Sequence, residues 1–175
     1  MDQRVINTHR DCTARLVPTG DLIEIPKGTF LTLSQELGGT YTIIINGNMA
    51  RIDALDADAL GFEPLVLSYE TPADGNIDLE QVQHALQTVY DPEIPVNIVD
   101  LGLIYRCETD TQKRINIDMT LTSPGCGMGP VLVEDVKTRL SNVPNVSEVN
   151  VVLVFEPPWS RDMMTEEAQL ELGLF

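Results

Sequence analysis

Residues 122–130, with the sequence TSPGCGMGP, contain the cysteine that is best placed for chemistry. Gly125 and Gly127 remove side-chain bulk on both sides of Cys126, so the sulfur is accessible and the backbone can turn sharply. Pro130 fits the start of a following helix, where its missing N–H costs nothing. Unpaired amides and the helix dipole there lower a cysteine pKa, and a thiolate is both a nucleophile and a soft-metal ligand. The alternative is an inert thiol buried in a glycine-dependent loop, and the residues alone leave both interpretations open.

A second group of candidates lies in DPEIPVNIVDLGLIY, residues 91–105. Asp91 and Glu93 bracket Pro92, and this proline together with Pro95 stiffens the segment and keeps it out of a helix. Two carboxylates on a rigid loop are candidates for binding a metal, for orienting a proton or for mutual repulsion that separates their pKa values. The pattern by itself favours the simpler interpretation, in which solvated acids follow the end of a helix.

The remaining cysteines and histidines do not form a recognisable site. Cys107 alternates with Leu103 and Tyr105, which predicts a small core side chain in a strand. Cys12 follows His9 by three residues, but this pair is only half of a zinc site, and the sequence has no C-x-x-C pair. A zinc site within one chain is therefore not expected, whereas a site shared between subunits stays open. Nucleotide-binding and serine-hydrolase signatures are also absent.

Length and charge limit the classes of function. The chain has 175 residues, with 27 Asp plus Glu against 11 Lys plus Arg and a net charge of −16. Such a surface repels phosphate backbones, so no nucleic acid partner is expected. The sequence has no apolar run of about 18 residues and no export signal, which predicts a cytoplasmic protein with reduced thiols and no membrane partner. Solubility explains the acidity, and docking of basic partners is the more specific alternative.

Turn signals divide the first half of the chain into short strands. Asn46-Gly47 predicts a hairpin, and Asp53 and Gly61 are residue types that begin and end a short helix. We predict a small antiparallel β-rich domain over residues 1–70 and a polar linker at residues 71–76. The predicted strands are 22–25, 29–33, 40–46 and 49–52.

After the linker, the pattern changes to helices and longer strands. The expected order over residues 77–175 is helix, strand, strand, helix, strand, helix, which predicts an α+β domain with helices packed on a small mixed sheet. The apolar stripe of the first helix is Leu79, Val82, Leu86 and Val89. The apolar face of the strand at 114–122 is Ile115, Ile117, Met119 and Leu121.

Residues 77–158 closely resemble the small iron–sulfur cluster assembly domain that cytosolic targeting factors share with PaaD-type proteins. The resemblance rests on DPEIPVNIVDLGLIY, MTLTSPGCGMGPVL and VVLVFEPPW, and on the spacing between them. The N-terminal segments HRDCTARLVPTG and ARIDALDADALG and the tail PPWSRDMMTEEAQLELGLF are similar to the SufT branch of this family. The resemblance therefore extends over nearly the whole chain.

The resemblance implies an auxiliary role in the maturation of iron–sulfur proteins, by carrying a cluster or handing it over to client apo-proteins alongside the Suf machinery. The residues that it carries over are Asp91, Pro92 and Glu93 as one signature element, Thr120 and Thr122 as candidates for the signature threonine, and Cys126 with its neighbour Gly125 as the reactive cysteine loop. Candidate ligands for iron or a transient cluster are Cys126, Glu93 and Asp91. PaaD-type relatives carry further C-terminal cysteines, whereas this tail has none, so stable cluster binding by one chain is not expected.

Three hypotheses follow from the sequence. The first is an assembly or transfer factor that is not an enzyme, with a homo-oligomer as one way to complete the ligands of a cluster. The second is an enzyme with Cys126 as nucleophile and Asp91 or Glu93 as orienting acids, although no base is placed by the sequence. The third is an adaptor whose acidic surface recruits clients. We also expect both acids to lie close to Cys126. Their loop leaves the C-terminal end of one helix, Cys126 lies at the N-terminal end of the next, and both helices are expected on the same layer over the sheet.

Overall fold

The computed structural model describes residues 3–37, 40–91, 93–125 and 127–173. The chain forms two compact units, Met1–Val66 and Leu67–Phe175. Each unit has its own cluster of buried apolar side chains. Within the described ranges, no helix is long and apolar enough to cross a membrane.

The first unit is a six-stranded antiparallel sheet in the order β1-β4-β5-β6-β2-β3. The predicted strands are present, and two further strands, β1 and β2, lie outside the predicted set. Both pair with segments distant in sequence, β1 with β4 and β2 with β6 as well as with β3. The strands are β1 (Arg4–Asn7), β2 (Cys12–Leu16), β3 (Leu22–Ile25), β4 (Phe30–Leu37), β5 (Thr40–Ile45) and β6 (Asn48–Ile52).

Two local predictions in this unit are confirmed. Asn46 and Gly47 have φ values of 50° and 78°, and they join β5 to β6 as the two central residues of a tight hairpin. A 3₁₀ helix spans Ala54–Leu60, where a short helix is predicted. The Asp53 carboxylate accepts a hydrogen bond from the Leu55 N–H at 2.9 Å, and Gly61 ends the helix.

The second unit packs helices on a three-stranded mixed sheet. β7 and β8 are antiparallel, and β8 and β9 are parallel and connected through α2. Together with the antiparallel sheet that the first unit contains, this arrangement confirms the predicted α+β class. The elements are α1 (Leu79–Leu86), β7 (Ile104–Thr109), β8 (Arg114–Met119), α2 (Gly129–Leu140), β9 (Glu148–Leu153), a second 3₁₀ helix (Arg161–Met163) and α3 (Glu166–Glu171).

Strand β8 forms the centre of this core. Its apolar face is buried as the alternation predicts, at Ile115, Ile117, Met119 and the following Leu121. The first helix is only partly as expected, because Leu79 is 57% exposed at the helix start while the rest of its predicted stripe is buried. The core therefore lies between one face of the sheet and the helices. The end of β8 leads into the loop with Thr120, Thr122 and Gly125, and the loop with Asp91 and Glu93 lies between α1 and β7.

Residues 67–76, which include the predicted linker at 71–76, belong to the second unit and pack with the rest of it. The Glu70 carbonyl accepts a hydrogen bond from Gln81 Nε2 at 2.8 Å, and the Asn76 carbonyl accepts one from Asn145 Nδ2 at 2.7 Å. The Lys113 ammonium also donates to the Asn76 side chain. Independent folding of residues 77–175 stays a prediction, and these contacts make the stability of that fragment a direct test of the boundary.

Candidate functional site

Asp91 is a buried turn former with only 4% of its surface exposed. Its Oδ1 accepts hydrogen bonds from the backbone N–H groups of Glu93 at 2.8 Å and Ile94 at 3.0 Å. Its own N–H donates to the Val96 carbonyl at 3.2 Å. The carboxylate thus closes an Asx turn and fixes the start of the loop, so the interpretation as a solvated acid does not fit this residue. Pro92, between the two acids, lies outside the described residues.

A second side chain, Asn97, stabilises the middle of the same loop. Its Oδ1 accepts hydrogen bonds from the N–H groups of Val99 and Asp100, both at 3.0 Å, and its Nδ2 donates to Asp100 Oδ2 at 2.9 Å. The sequence analysis did not select Asn97. Its residue type in a proline-containing loop could have indicated this role, because an asparagine side chain commonly accepts a hydrogen bond from the backbone N–H two residues further on.

The tail segment 157–165, called the strap below, holds this loop from the outside. The Cβ of an alanine at position 102 would lie 2.3 Å from the Met163 carbonyl oxygen, and Gly102 has a φ of 75°. Only glycine fits this approach of the two backbones. Three hydrogen bonds complete the contact: Tyr105 Oη to the Pro157 carbonyl at 2.7 Å, Trp159 Nε1 to the Leu101 carbonyl at 2.7 Å, and Thr165 N–H to the Asp100 carbonyl at 2.9 Å.

Glu93 is exposed and lies at a groove between the loop and the strap, whereas Asp91 is buried. The groove has a volume of about 380 Å³, and it is lined mainly by apolar side chains. Within the described part of its lining, Arg161 is the other charged residue. The apolar lining is Ile94, Pro95, Trp159, Met164 and Leu172.

The candidate residues before the cysteine differ in accessibility. Thr120 is 1% exposed, and its N–H donates to the Leu103 carbonyl at 2.8 Å. Thr122 is half-buried and Gly125 is exposed. A Cβ at Gly125 would meet no atom within 4 Å, so packing does not require glycine there. Cys126 lies outside the described residues.

Helix α2 begins directly after the cysteine loop. Met128 is its N-terminal cap and provides no side-chain hydrogen bond. Gly129 is buried, and a Cβ there would lie 3.2 Å from Leu121 and 3.3 Å from Leu153. The helix start is therefore packed closely against the ends of β8 and β9, and it faces the loop without a carboxylate in its first turn.

A short ladder of backbone hydrogen bonds connects residues 91–103, called the acidic loop below, to strand β8, which leads to the cysteine loop at residues 122–128. Ile98 N–H donates to the Val89 carbonyl at 2.9 Å, Leu103 N–H to the Ile98 carbonyl at 3.0 Å, and Thr120 N–H to the Leu103 carbonyl at 2.8 Å. The structure thus brings Asp91 and Thr120 into one hydrogen-bonded framework. The separation of Asp91 and Glu93 from the Cys126 sulfur stays a prediction.

The two other cysteines are sheltered in different units. Cys12 is buried in the first unit, and Cys107 packs against the core of the second, as its alternation predicts. Burial, reinforced by the charge of Asp56, raises the pKa of the Cys12 thiol. Burial, reinforced by Glu108, raises the pKa of the Cys107 thiol. Both thiols are therefore protonated at neutral pH and weak nucleophiles.

The histidines have local roles in the structure. His84 Nδ1 lies 2.8 Å from the Tyr69 hydroxyl, and the two rings meet edge to face. His9 is exposed in the first unit. Throughout the part of the chain that the structure describes, no three or more His, Cys, Asp or Glu residues are grouped to hold a metal ion.

Comparison with known proteins assigns the region that contains both loops to a protein family. The profile of the family described as iron–sulfur cluster assembly protein matches residues 79–151. An Fe-S protein maturation auxiliary factor of Porphyromonas gingivalis is 48% identical over 54% of this chain and 90% of its own length. The Fe-S protein maturation auxiliary factor SufT of Staphylococcus aureus is 44% identical over 49% of this chain and 98% of its own length. The crystal structure of a domain of unknown function, DUF59, from Bacillus anthracis is 42% identical, covers 55% of this chain and 92% of that chain, and superposes with a TM-score of 0.52.

Proposed function

The chain belongs to the family of iron–sulfur cluster assembly proteins, and we propose that it is an auxiliary factor that carries or transfers a cluster, or iron, to client apo-proteins. The observation that carries this proposal is the similarity over residues 79–151, which contain both the acidic loop and the cysteine loop. Auxiliary factors with the same domain are named for iron–sulfur protein maturation. The proposed partners are the Suf assembly machinery and client apo-proteins, in the reducing environment of the cytoplasm.

We assign the transfer chemistry to Cys126. Its neighbours Gly125 and Gly127 are exposed, and the following helix α2 begins without a side-chain cap. Both features favour an accessible thiolate. An iron–sulfur cluster takes four ligands, so a single cysteine leaves the others to a client, a second subunit or a small thiol. Such a partly ligated cluster is cargo that can be released, which supports transfer rather than storage or catalysis.

The two acids have different proposed roles. Asp91 already accepts two backbone hydrogen bonds through Oδ1, which suits a residue that positions the loop. Glu93 is exposed, which suits a carboxylate that contacts iron during the transfer. Thr120 is buried and Thr122 is half-buried, so Thr122 is the threonine that we propose for contact with the cargo.

Anaerobic incubation of the full chain with ferrous iron and sulfide tests this assignment. Wild type is expected to take up iron and to show cluster absorption and Mössbauer signals, and Cys126→Ser is expected to lose most of both. Cys107→Ser is the matched control, because Cys107 packs against the core of the same unit, and it should retain uptake. Equal uptake by Cys126→Ser and wild type would exclude the cysteine as the point of attachment.

A further inference from the structure

The groove between the loop and the strap differs from the rest of its unit in charge. The second unit, Leu67–Phe175, has 6 basic residues against 18 acidic ones, a net charge of −12. Arg161 and Glu93 are the charged residues of the groove's described lining, so the groove is neutral within this acidic unit. A cation in such a position attracts a carboxylate from a partner locally, although the unit as a whole repels acidic molecules.

Arg161 also differs from the other basic side chains of the unit in the partners that it has among the described residues. Among the described residues, its guanidinium makes no hydrogen bond and no ion pair. The other five have partners: Arg106 with Asp118 and Glu108, Arg114 with Asp110, Lys137 with Glu134, Lys113 with Asn76, and Arg139 with Thr88. Its charge is thus available to a second molecule.

The remaining lining of the groove suits apolar side chains. Among its lining residues, Met164 is buried, and Trp159 and Leu172 are half-buried. Trp159 is held in place by its hydrogen bond to the Leu101 carbonyl at 2.7 Å, so the groove has a rigid aromatic wall. Peptide segments commonly bind such surfaces through a few apolar anchors and one or two fixed polar contacts.

We propose that this groove binds a short segment of a client apo-protein in which apolar side chains are flanked by one carboxylate, with the carboxylate on Arg161. The inference rests on the proposed function and specifies how the client is recognised. Glu93 lines the same groove, so a bound segment lies against the acidic loop from which the cargo would be handed over. Docking and transfer thereby occur on one face of the unit.

The experiment uses the single tryptophan of the chain, Trp159, as the reporter. Three peptides blocked at both ends serve as probes: acetyl-Ile-Leu-Glu-Leu-amide, and the same peptide with Gln or with Lys in place of Glu. The Glu peptide is expected to shift the Trp159 emission with a midpoint at or below about 1 mM. The Gln peptide should bind roughly twofold to fivefold more weakly, as expected for one exposed ion pair, and the Lys peptide more weakly still.

Reversal of the charge gives the sharper result. R161E should weaken the Glu peptide by about tenfold and make the Lys peptide the tightest of the three. The matched control is K137E, which makes the same charge change at a cation outside the groove lining, and it should keep the original order. An unchanged order in R161E, or no emission change with any peptide up to about 1 mM, overturns the proposal. A Trp159 emission that changes with protein concentration, together with dimerisation in sedimentation equilibrium, would show that a second copy of the chain occupies the groove. This result would also overturn the proposal.

The docking proposal and the transfer proposal can fail separately. If the peptides bind in the stated order and R161E reverses it, the groove is a docking site even where Cys126→Ser still transfers cargo. If cargo transfer needs Cys126 but the peptides do not bind, the proposed function stands and the docking site is wrong. An excess of the Glu peptide should also slow cargo transfer to an apo-protein, and an unchanged rate would contradict docking at this groove.

Discussion

Substitution of Gly102 by alanine should destabilise the second unit through the contact between the acidic loop and the strap. Gly102 has a φ of 75°, and an added Cβ would lie 2.3 Å from the Met163 carbonyl oxygen. An alanine in the left-handed region costs about 1–2 kcal/mol. The short approach cannot be relieved by a rotamer change, because the backbone fixes the position of the Cβ and the atom that it meets is a backbone carbonyl oxygen. The strap must therefore move away from the loop.

The displaced strap would lose hydrogen bonds near the substitution. The Trp159 Nε1–Leu101 and Thr165 N–Asp100 bonds, at 2.7 Å and 2.9 Å, flank the site. Each is worth about 1 kcal/mol, so the total expected loss is roughly 3 kcal/mol. With a urea dependence of about 1–2 kcal/mol per molar for a unit of this size, the unfolding midpoint should fall by about 2 M.

Urea unfolding followed by Trp159 emission measures this effect in the second unit alone, because Trp159 is the only tryptophan in the chain. Gly125→Ala is the matched control: this glycine is outside the left-handed region, and its Cβ would meet no atom within 4 Å. The control should change stability by less than about 0.5 kcal/mol. A loss below about 1 kcal/mol in Gly102→Ala would refute the argument that the strap holds the loop.

Four further predictions concern other parts of the chain. Competitive alkylation at neutral pH should label Cys126 before Cys12 and Cys107, since burial raises the pKa of the latter two thiols; equal labelling of Cys107 and Cys126 would contradict this order. A fragment of residues 67–175 should be more stable than one of residues 77–175 by roughly 2–3 kcal/mol, because the shorter one lacks the contacts of Glu70 and Asn76; equal urea midpoints would show that residues 67–76 do not support the unit. Burial opposes ionisation of Asp110, but hydrogen bonds from Arg114 and Gln112 lower its pKa to about 2; wild type should therefore lose more stability than Asp110→Asn as pH falls from about 4 toward 2, and parallel pH profiles would be inconsistent with this. Glu93→Gln should lower the pKa of the metal-free Cys126 thiol, by removing a negative charge, and also weaken iron uptake; unchanged iron uptake would exclude this coupling.

The sequence predicted most of what depends on local pattern. Alternation identified the buried face of β8, and the residue pair Asn46-Gly47 identified the β5–β6 hairpin because both residues tolerate positive φ. Strand β1 escaped prediction, since it pairs with β4 elsewhere in the chain. Strand β2 was missed although it pairs with the neighbouring β3 as well as with the distant β6. Alternation and turn chemistry are short-range signals, whereas strand order and register depend on contacts distant in sequence.

The same distinction applies to buried polar residues and to the site. Arg139 is 1% exposed, and it donates to the Thr88 carbonyl and hydroxyl, 51 residues away, at 2.8 Å and 2.7 Å. No sequence pattern near Arg139 predicts that Thr88 is its partner. Likewise, residue type identified Asp91 as a candidate for turn chemistry, but its burial and the strap that crosses Gly102 follow from tertiary packing. The sequence therefore identified chemical groups, and the structure supplied the contacts that orient them.

The central claim is that cargo passes to apo-proteins through Cys126, and the rate of transfer from the loaded full chain to an apo iron–sulfur protein tests it most directly. The assay follows recovery of the acceptor's activity under anaerobic conditions, for wild type, Cys126→Ser and Cys107→Ser loaded with equal iron and sulfide. We expect transfer by wild type and Cys107→Ser at similar rates, and a loss of at least about tenfold for Cys126→Ser. Transfer by Cys126→Ser at the wild-type rate would contradict the account.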